Sequence, residues 1–229
     1  MLWPDSLPAA KIAQPGIRVA MAALASVRLR GRPWYQCVDV AGDLSTEPLC
    51  AGTPGQARHR TETFARFLRD SGELRASDVV VDVGSNAGLY TLMASRVARR
   101  AIGVEFDDRF HRQALLIRSL WQASGRDASR ARLIYGDITR KLGLFRDADV
   151  VFASKVLYHE HLGDGVHDIM RAIEAGPART IMIQGHSVQG ELGTDDGIRD
   201  LTAKYGFTYT TVLDDHDYPI AIARREGSS

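Results

Sequence analysis

From about Asp78 onward, short β-branched runs alternate with longer stretches whose apolar residues recur every three or four positions. Val79–Val83, Ala101–Glu105, Arg132–Tyr135, Val150–Ala153 and Thr180–Ile183 read as strands buried on both faces. Ala87–Ala98, Phe110–Ser124 and Gly165–Ala175 have helical spacing, and Leu115, Leu116 and Leu120 are expected on one side of the second helix. After a further helix over Asp196–Tyr205, F-T-Y-T-T-V-L and Y-P-I-A-I-A-R flank D-D-H-D, which predicts a hairpin. The pattern predicts an α/β fold: a doubly wound, mostly parallel seven-stranded sheet ending in an antiparallel hairpin.

Upstream the pattern changes. Ile17–Leu29 suits an amphipathic helix, W-Y-Q-C-V-D-V a short strand and Gln56–Arg69 another helix, with a loop-rich stretch before the last. Residues 1–75 are therefore expected to form an N-terminal helical cap or lid on a core spanning 76–229, with no independent second domain. No internal repeat or low-complexity tract interrupts either part.

Composition narrows the class without naming it. With 229 residues, 45% hydrophobic and 25% charged, the chain can bury a full core. A net charge of +1 provides no global field for a polyanion. No apolar run is long enough to span a bilayer, and M-L-W-P-D-S-L-P lacks the order of a signal peptide. Cys37 and Cys50 read as reduced thiols, so a cytoplasmic protein without membrane attachment is expected.

The first strand and helix are joined by V-D-V-G-S-N-A-G, with Asp82 at the strand end and Gly84, Ser85, Asn86 and Gly88 in the loop. In an open α/β sheet, ligands bind beyond the carboxyl ends of the strands at such a turn. A nucleoside triphosphate would call for G-K-[ST], but Leu89 and Tyr90 follow Gly88. A dinucleotide would call for a middle glycine, and Asn86 replaces it. S-adenosylmethionine carries no phosphate and suits the remaining acids. Asp82 is placed for its ammonium or water shell, the Gly84–Gly88 backbone for its amino-acid portion and Glu105 for both ribose hydroxyls. Asp137 is placed for the adenine amino group, with Phe106 and Ile138 against the ring.

On these residues the chain resembles the class I S-adenosylmethionine-dependent methyltransferases. V-D-V-G-S-N-A-G resembles their first motif, G-V-E-F-D the acidic strand end and Y-G-D-I the adenine-side motif. A-D-V-V-F-A-S-K, with Ser154, resembles the fourth-strand motif. The resemblance covers about Asp78 to Arg224 and implies a Rossmann-like core, S-adenosyl-L-methionine as cofactor and S-adenosyl-L-homocysteine as its product. V-L-Y-H and R-Q-A-L are similar to words of the branch containing tRNA wobble-uridine carboxymethyltransferases. Tyr158 matches the tyrosine that this branch uses near a carboxylated donor.

The segment S-K-V-L-Y-H-E-H after the fourth strand is expected to line the methyl end of the pocket. His159 is the candidate general base because an imidazole titrates near neutrality. Tyr158 and Lys155 are candidates for orienting the substrate. His159, His161 and His167 do not complete a four-ligand set, and the fourth strand ends in Ala153-Ser154-Lys155 without an acid, so no metal is expected. N-P-P-Y, D-P-P-Y and P-C motifs are absent, which argues against common base-modifying enzymes. In the cap, Trp34, Tyr35 and Arg60 are candidate substrate contacts beside Arg28, Arg30, Arg32 and Arg58.

The sequence therefore points to metal-independent methyl transfer to oxygen or nitrogen of a small metabolite in a biosynthetic pathway. A tRNA uridine is the second acceptor considered. A nicotinamide-dependent oxidoreductase or a non-catalytic nucleoside-binding module is the alternative of another class. Oligomeric state is not legible.

Overall fold

The computed structural model describes residues 71–123, 125–154, 156–157, 162–184, 195–213 and 220–227, together with Phe64 and Leu68. The expected elements at Ile17–Leu29 and Trp34–Val40, both cysteines and the hairpin tip lie outside the described residues.

Seven strands form one sheet in the order β3-β2-β1-β4-β5-β7-β6. They are β1 Val79–Val83, β2 Arg100–Glu105, β3 Ala131–Tyr135, β4 Val150–Ser154, β5 Thr180–Gln184, β6 Phe207–Leu213 and β7 Ile220–Arg225. The helices are α1 Leu89–Ala94, α2 Asp108–Ala123, α3 Gly165–Glu174 and α4 Asp195–Ala203. The first five strands pair in parallel, whereas β7 runs antiparallel to both β5 and β6. β7 is thus inserted between β5 and β6, and it alone is reversed.

Every residue of β1 and β5 is buried, the polar Asp82, Thr180 and Gln184 included, as expected of strands covered on both faces. Alternate positions enter two cores. Val80, Ala101, Val150, Phe152 and Met182 pack with α1 and α2 on one face. Val79, Val81, Ile102, Val104, Val151 and Ile181 pack with α3 and α4 on the other. The period-two side-chain alternation of a strand produces this division. Strand order reverses between β1 and β4, and in open α/β sheets ligands bind outside the carboxyl ends of the strands at such a point.

Two sequence expectations change. Leu115 is 42% exposed, while Ala114, Ile117, Leu120 and Trp121 are buried. The buried stripe is centred on Ile117, and Leu115 lies about 200° around the helix at about 100° per residue. α1 also ends at Ala94, short of Ala98: the Ser95 hydroxyl donates to the Leu92 carbonyl, and Arg96 N–H and Val97 N–H bond three residues back. That tighter winding closes the helix.

Three described residues of the 1–75 segment, Phe64, Leu68 and Leu74, belong to the core on the α1 and α2 face. Phe64 and Leu68 are helical, one turn apart and buried. Phe64 packs on Tyr90 at a ring-centroid distance of 3.8 Å and meets Phe152 edge-on at 5.4 Å. Farther along, Arg179 bonds both oxygens of buried Asp78 and the Glu73 carbonyl, tying the segment before β1 to β5.

Candidate functional site at the strand ends

The loop after β1 is built by three residues with positive φ: Gly84 at 66°, Asn86 at 51° and Gly88 at 76°. Glycine adopts this region freely, and asparagine is among the few other residues that tolerate it. The protein's own packing also requires the glycines. A β-carbon on Gly84 would lie 2.8 Å from Val156 Cγ2, and one on Gly88 would lie 2.9 Å from Ala114 Cβ. These close approaches are to neighbouring side chains, in addition to any made to a ligand.

Four successive N–H groups of this loop, Ser85 to Gly88, have protein acceptors. Ser85 donates to the Val104 carbonyl at 3.0 Å and Gly88 to the Ser85 carbonyl at 2.8 Å. Asn86 N–H donates to Glu105 Oε2 at 2.8 Å, and Ala87 N–H to Asn86 Oδ1 at 2.8 Å. A phosphate-cradling loop directs such amides at its ligand. Here they are turned inward, and two carboxylates stand behind them.

Asp82 is the first of these acids. It is 1% exposed, and the Thr91 hydroxyl of α1 donates to its Oδ2 at 2.6 Å. Burial pushes its pKa up to about 7, against the lowering effect of the Thr91 bond; the nearby Glu105 charge pushes it further up. Its carboxyl therefore joins β1 to α1 beneath the loop. Glu105, at the end of β2, is 4% exposed. It accepts from Asn86 N–H through one oxygen and from Asp107 N–H at 2.9 Å through the other. Burial raises its pKa, while those two backbone bonds oppose the rise. The carboxylate retains acceptor capacity beyond these backbone bonds.

The third acid has a different local role. Asp137 is exposed and caps the 3₁₀ turn Ile138–Arg140: its Oδ1 accepts from Thr139 N–H at 2.9 Å and from Thr139 Oγ1 at 2.8 Å. Ile138 is 5% exposed and belongs to the core beneath β1 and β2. Of the two expected ring contacts, only Phe106, 53% exposed, presents substantial surface. At the end of β4, the Ser154 hydroxyl donates to Gln184 Oε1 on β5 at 3.2 Å. Gln184 Nε2 is buried without a hydrogen-bond partner among the described residues.

The structure thus brings Asp82, Gly84, Ser85, Asn86, Gly88 and Glu105 to adjoining ends of β1 and β2, with Ser85, Asn86, Gly88 and Glu105 in one hydrogen-bonded network, and places Asp137 and Ser154 on flanking strand ends. Lys155, Tyr158, His159 and His161, and Trp34, Tyr35 and Arg60 from the cap, lie outside the described residues. His167 is described: its Nδ1 lies 2.9 Å from the Tyr205 hydroxyl, linking α3 to the end of α4. Among the described residues no group of three His, Cys, Asp or Glu side chains is arranged to hold a metal ion.

Three contributors escaped the sequence reading. Thr91 is one, and Gln184 another. The third is Gly103, opposite Asp82 in the β1–β2 register. A β-carbon there would lie 2.4 Å from Thr91 Oγ1 and 2.8 Å from Ser85. A glycine inside an apolar strand is a sequence signal of close approach by other groups. Thr91 and Gln184 carried no comparable signal.

No protein-family model matches the sequence, and no curated protein matches it significantly. Similarity appears among solved structures. Magnesium protoporphyrin IX methyltransferase from Synechocystis, solved with bound SAM, aligns over 95% of this chain and 94% of its own, with a TM-score of 0.57 and 13% identity. Precorrin-6y C5,15-methyltransferase from Geobacter metallireducens covers 74% and 89% of the two chains at a TM-score of 0.51 and 16% identity. The methyltransferase domain of bacterial CtHen1 covers 73% and 98% at 0.54 and 13%. Strand order, the reversed β7 and these similarities agree: the chain has the Rossmann-like fold shared by S-adenosylmethionine-dependent methyltransferases.

Proposed function

We propose that the protein is a metal-independent S-adenosylmethionine-dependent methyltransferase acting on an oxygen or nitrogen of a small metabolite. The inward-turned loop amides backed by Asp82 and Glu105 carry this reading. An arrangement that spends its donors internally and presents buried carboxylates is unfavourable for a pyrophosphate. It suits a ligand with an ammonium, a sulfonium and hydroxyl donors. Magnesium protoporphyrin IX methyltransferase, of the same fold, was solved with SAM and with SAH bound, and another similar structure is named precorrin-6y C5,15-methyltransferase.

S-adenosylmethionine, when bound, supplies an electrophilic methyl group on sulfur. The chain's task is to orient the two reactants, which in favourable cases supplies about 7–11 kcal/mol of the barrier. Asp82 and Glu105 set the electrostatics beneath the donor site, and Glu105 offers its remaining lone pairs to ribose hydroxyls. Asp137 stands at the adenine side with Phe106. His159 removes the acceptor's proton, which contributes about 10²–10⁴-fold. Tyr158 and Lys155 are assigned to orienting the acceptor, and Trp34, Tyr35 and Arg60 to contacting it.

The test is thermal unfolding of the full chain with S-adenosylhomocysteine or NAD, since a ligand selective for the native state raises its melting temperature. Stabilisation by the first alone is expected, followed by transfer of labelled methyl to a metabolite extract. Stabilisation by NAD instead would overturn the reading. Binding of S-adenosylhomocysteine without transfer to any extract would favour a non-catalytic nucleoside-binding module.

A further inference from the structure

At the opposite end of the sheet from the glycine loop lies a cleft of about 510 Å³ whose lining includes Arg99, Arg100, Arg118, Ser129, Arg130 and Arg132. Three elements contribute these arginines. Arg99 and Arg100 stand at the amino end of β2, Arg130 and Arg132 at that of β3, and Arg118 projects from the middle of α2. The β2–β3 ladder pairs Ala101 with Ala131 and Ile102 with Arg132, so the two arginine pairs lie on adjacent strands. Neighbouring strands are about 4.7–4.9 Å apart, close enough for like charges to repel.

No carboxylate lines the cleft. Asp127 lies close enough to Arg130 to feel its charge, but its Oδ1 accepts from Ser129 N–H. Among the described residues, none of the five arginines forms an ion pair. Arg99 Nε bonds the Ser77 carbonyl at 3.1 Å, and Arg130 Nη1 reaches the Ala98 carbonyl at 3.5 Å. Arg118 Nε is buried without a hydrogen-bond partner. In a chain with a net charge of only +1, this is a concentrated excess of charge and donors. An unsatisfied buried N–H on a cation is costly, and a guanidinium fork is matched best by paired oxygens of an oxyanion.

We propose that this arginine cleft is a second ligand site, separate from the glycine-loop crevice, for a small molecule bearing adjacent phosphate groups. Several arginines around one cleft call for more than one phosphate. The concave volume falls in the range of small-ligand sites. No aromatic side chain lines the cleft to stack a base, which disfavours a single-stranded nucleic acid. The proposal does not depend on the methyltransferase reading, because the two sites sit at opposite ends of the strands.

The probe is sodium tripolyphosphate titrated calorimetrically into the full chain. One saturable site is expected, weakening as ionic strength rises, with orthophosphate binding much less tightly. Arg100→Glu with Arg132→Glu should weaken tripolyphosphate at least tenfold while leaving S-adenosylhomocysteine's thermal stabilisation unchanged. If the double variant does not fold, Arg132→Gln alone should still weaken it several-fold. Absence of saturable binding, equal affinity for orthophosphate, or unchanged affinity in a folded variant would overturn the proposal. So would tight binding of oligouridylate that tripolyphosphate does not displace, which would make the cleft a nucleic-acid surface.

Discussion

Replacing Asp82 with asparagine isolates the effect of a buried carboxyl on stability. The Asp82 carboxyl titrates near 7 in the folded protein, mainly because burial disfavours its charge, against 3.8 as the ordinary value. Because the folded-state value is the higher one, the folded chain binds this proton more tightly than the unfolded chain. The associated stabilisation is complete below about pH 4 and is lost as pH rises through about 7, at about 1.4 kcal/mol per pH unit. Between about pH 5.5 and about pH 8, Asp82 should therefore cost the wild type about 2 kcal/mol, a large part of a typical domain's stability. Asp82→Asn keeps an acceptor for the Thr91 hydroxyl and removes the titration. Urea unfolding at the two pH values measures the difference. The variant's stability should fall by about 2 kcal/mol less than the wild type's over this window. Any residual decline belongs to groups such as Glu105, whose pKa is raised in the same direction. An identical pH dependence in the two proteins would refute the reasoning, because it would mean that water reaches Asp82.

Other substitutions probe the same unit. Glu105→Gln leaves one backbone N–H, at Asn86 or Asp107, facing an amide donor; it should cost about 1–3 kcal/mol in urea unfolding and sharply reduce stabilisation by S-adenosylhomocysteine. Gly103→Ala forces a methyl against Thr91 Oγ1 and Ser85, so a loss of about 1–3 kcal/mol is expected by thermal or urea unfolding. His159→Ala should lower turnover by about 10²–10⁴-fold with S-adenosylhomocysteine affinity nearly unchanged, as measured by labelled transfer and calorimetry. Weakened cofactor affinity in that variant would assign His159 a structural role.

Local pattern was enough to identify much of this protein. Continuous apolar runs located the strands because burial on both faces leaves few polar positions. The two glycines and Asn86 announced a tight turn because few residue types tolerate positive φ. Asp82, Glu105 and Asp137 could be assigned to strand ends from their position in the pattern alone. What those acids touch depended on register and packing. Thr91 reaches Asp82 only because β1 and α1 lie against each other, and Asn86 reaches Glu105 only because β2 pairs beside β1. Likewise, Leu115 and Leu116 are equally apolar in sequence, and the rotation of α2 against the sheet left the former exposed. Arg99, Arg118 and Arg132 are dispersed along the chain, and only the β2–β3 ladder and α2 bring them to one cleft. Short-range sterics and hydrophobic burial are written into neighbouring residues. Proton affinity and charge clustering arise from groups far apart in sequence, so they existed only once the sheet had assembled.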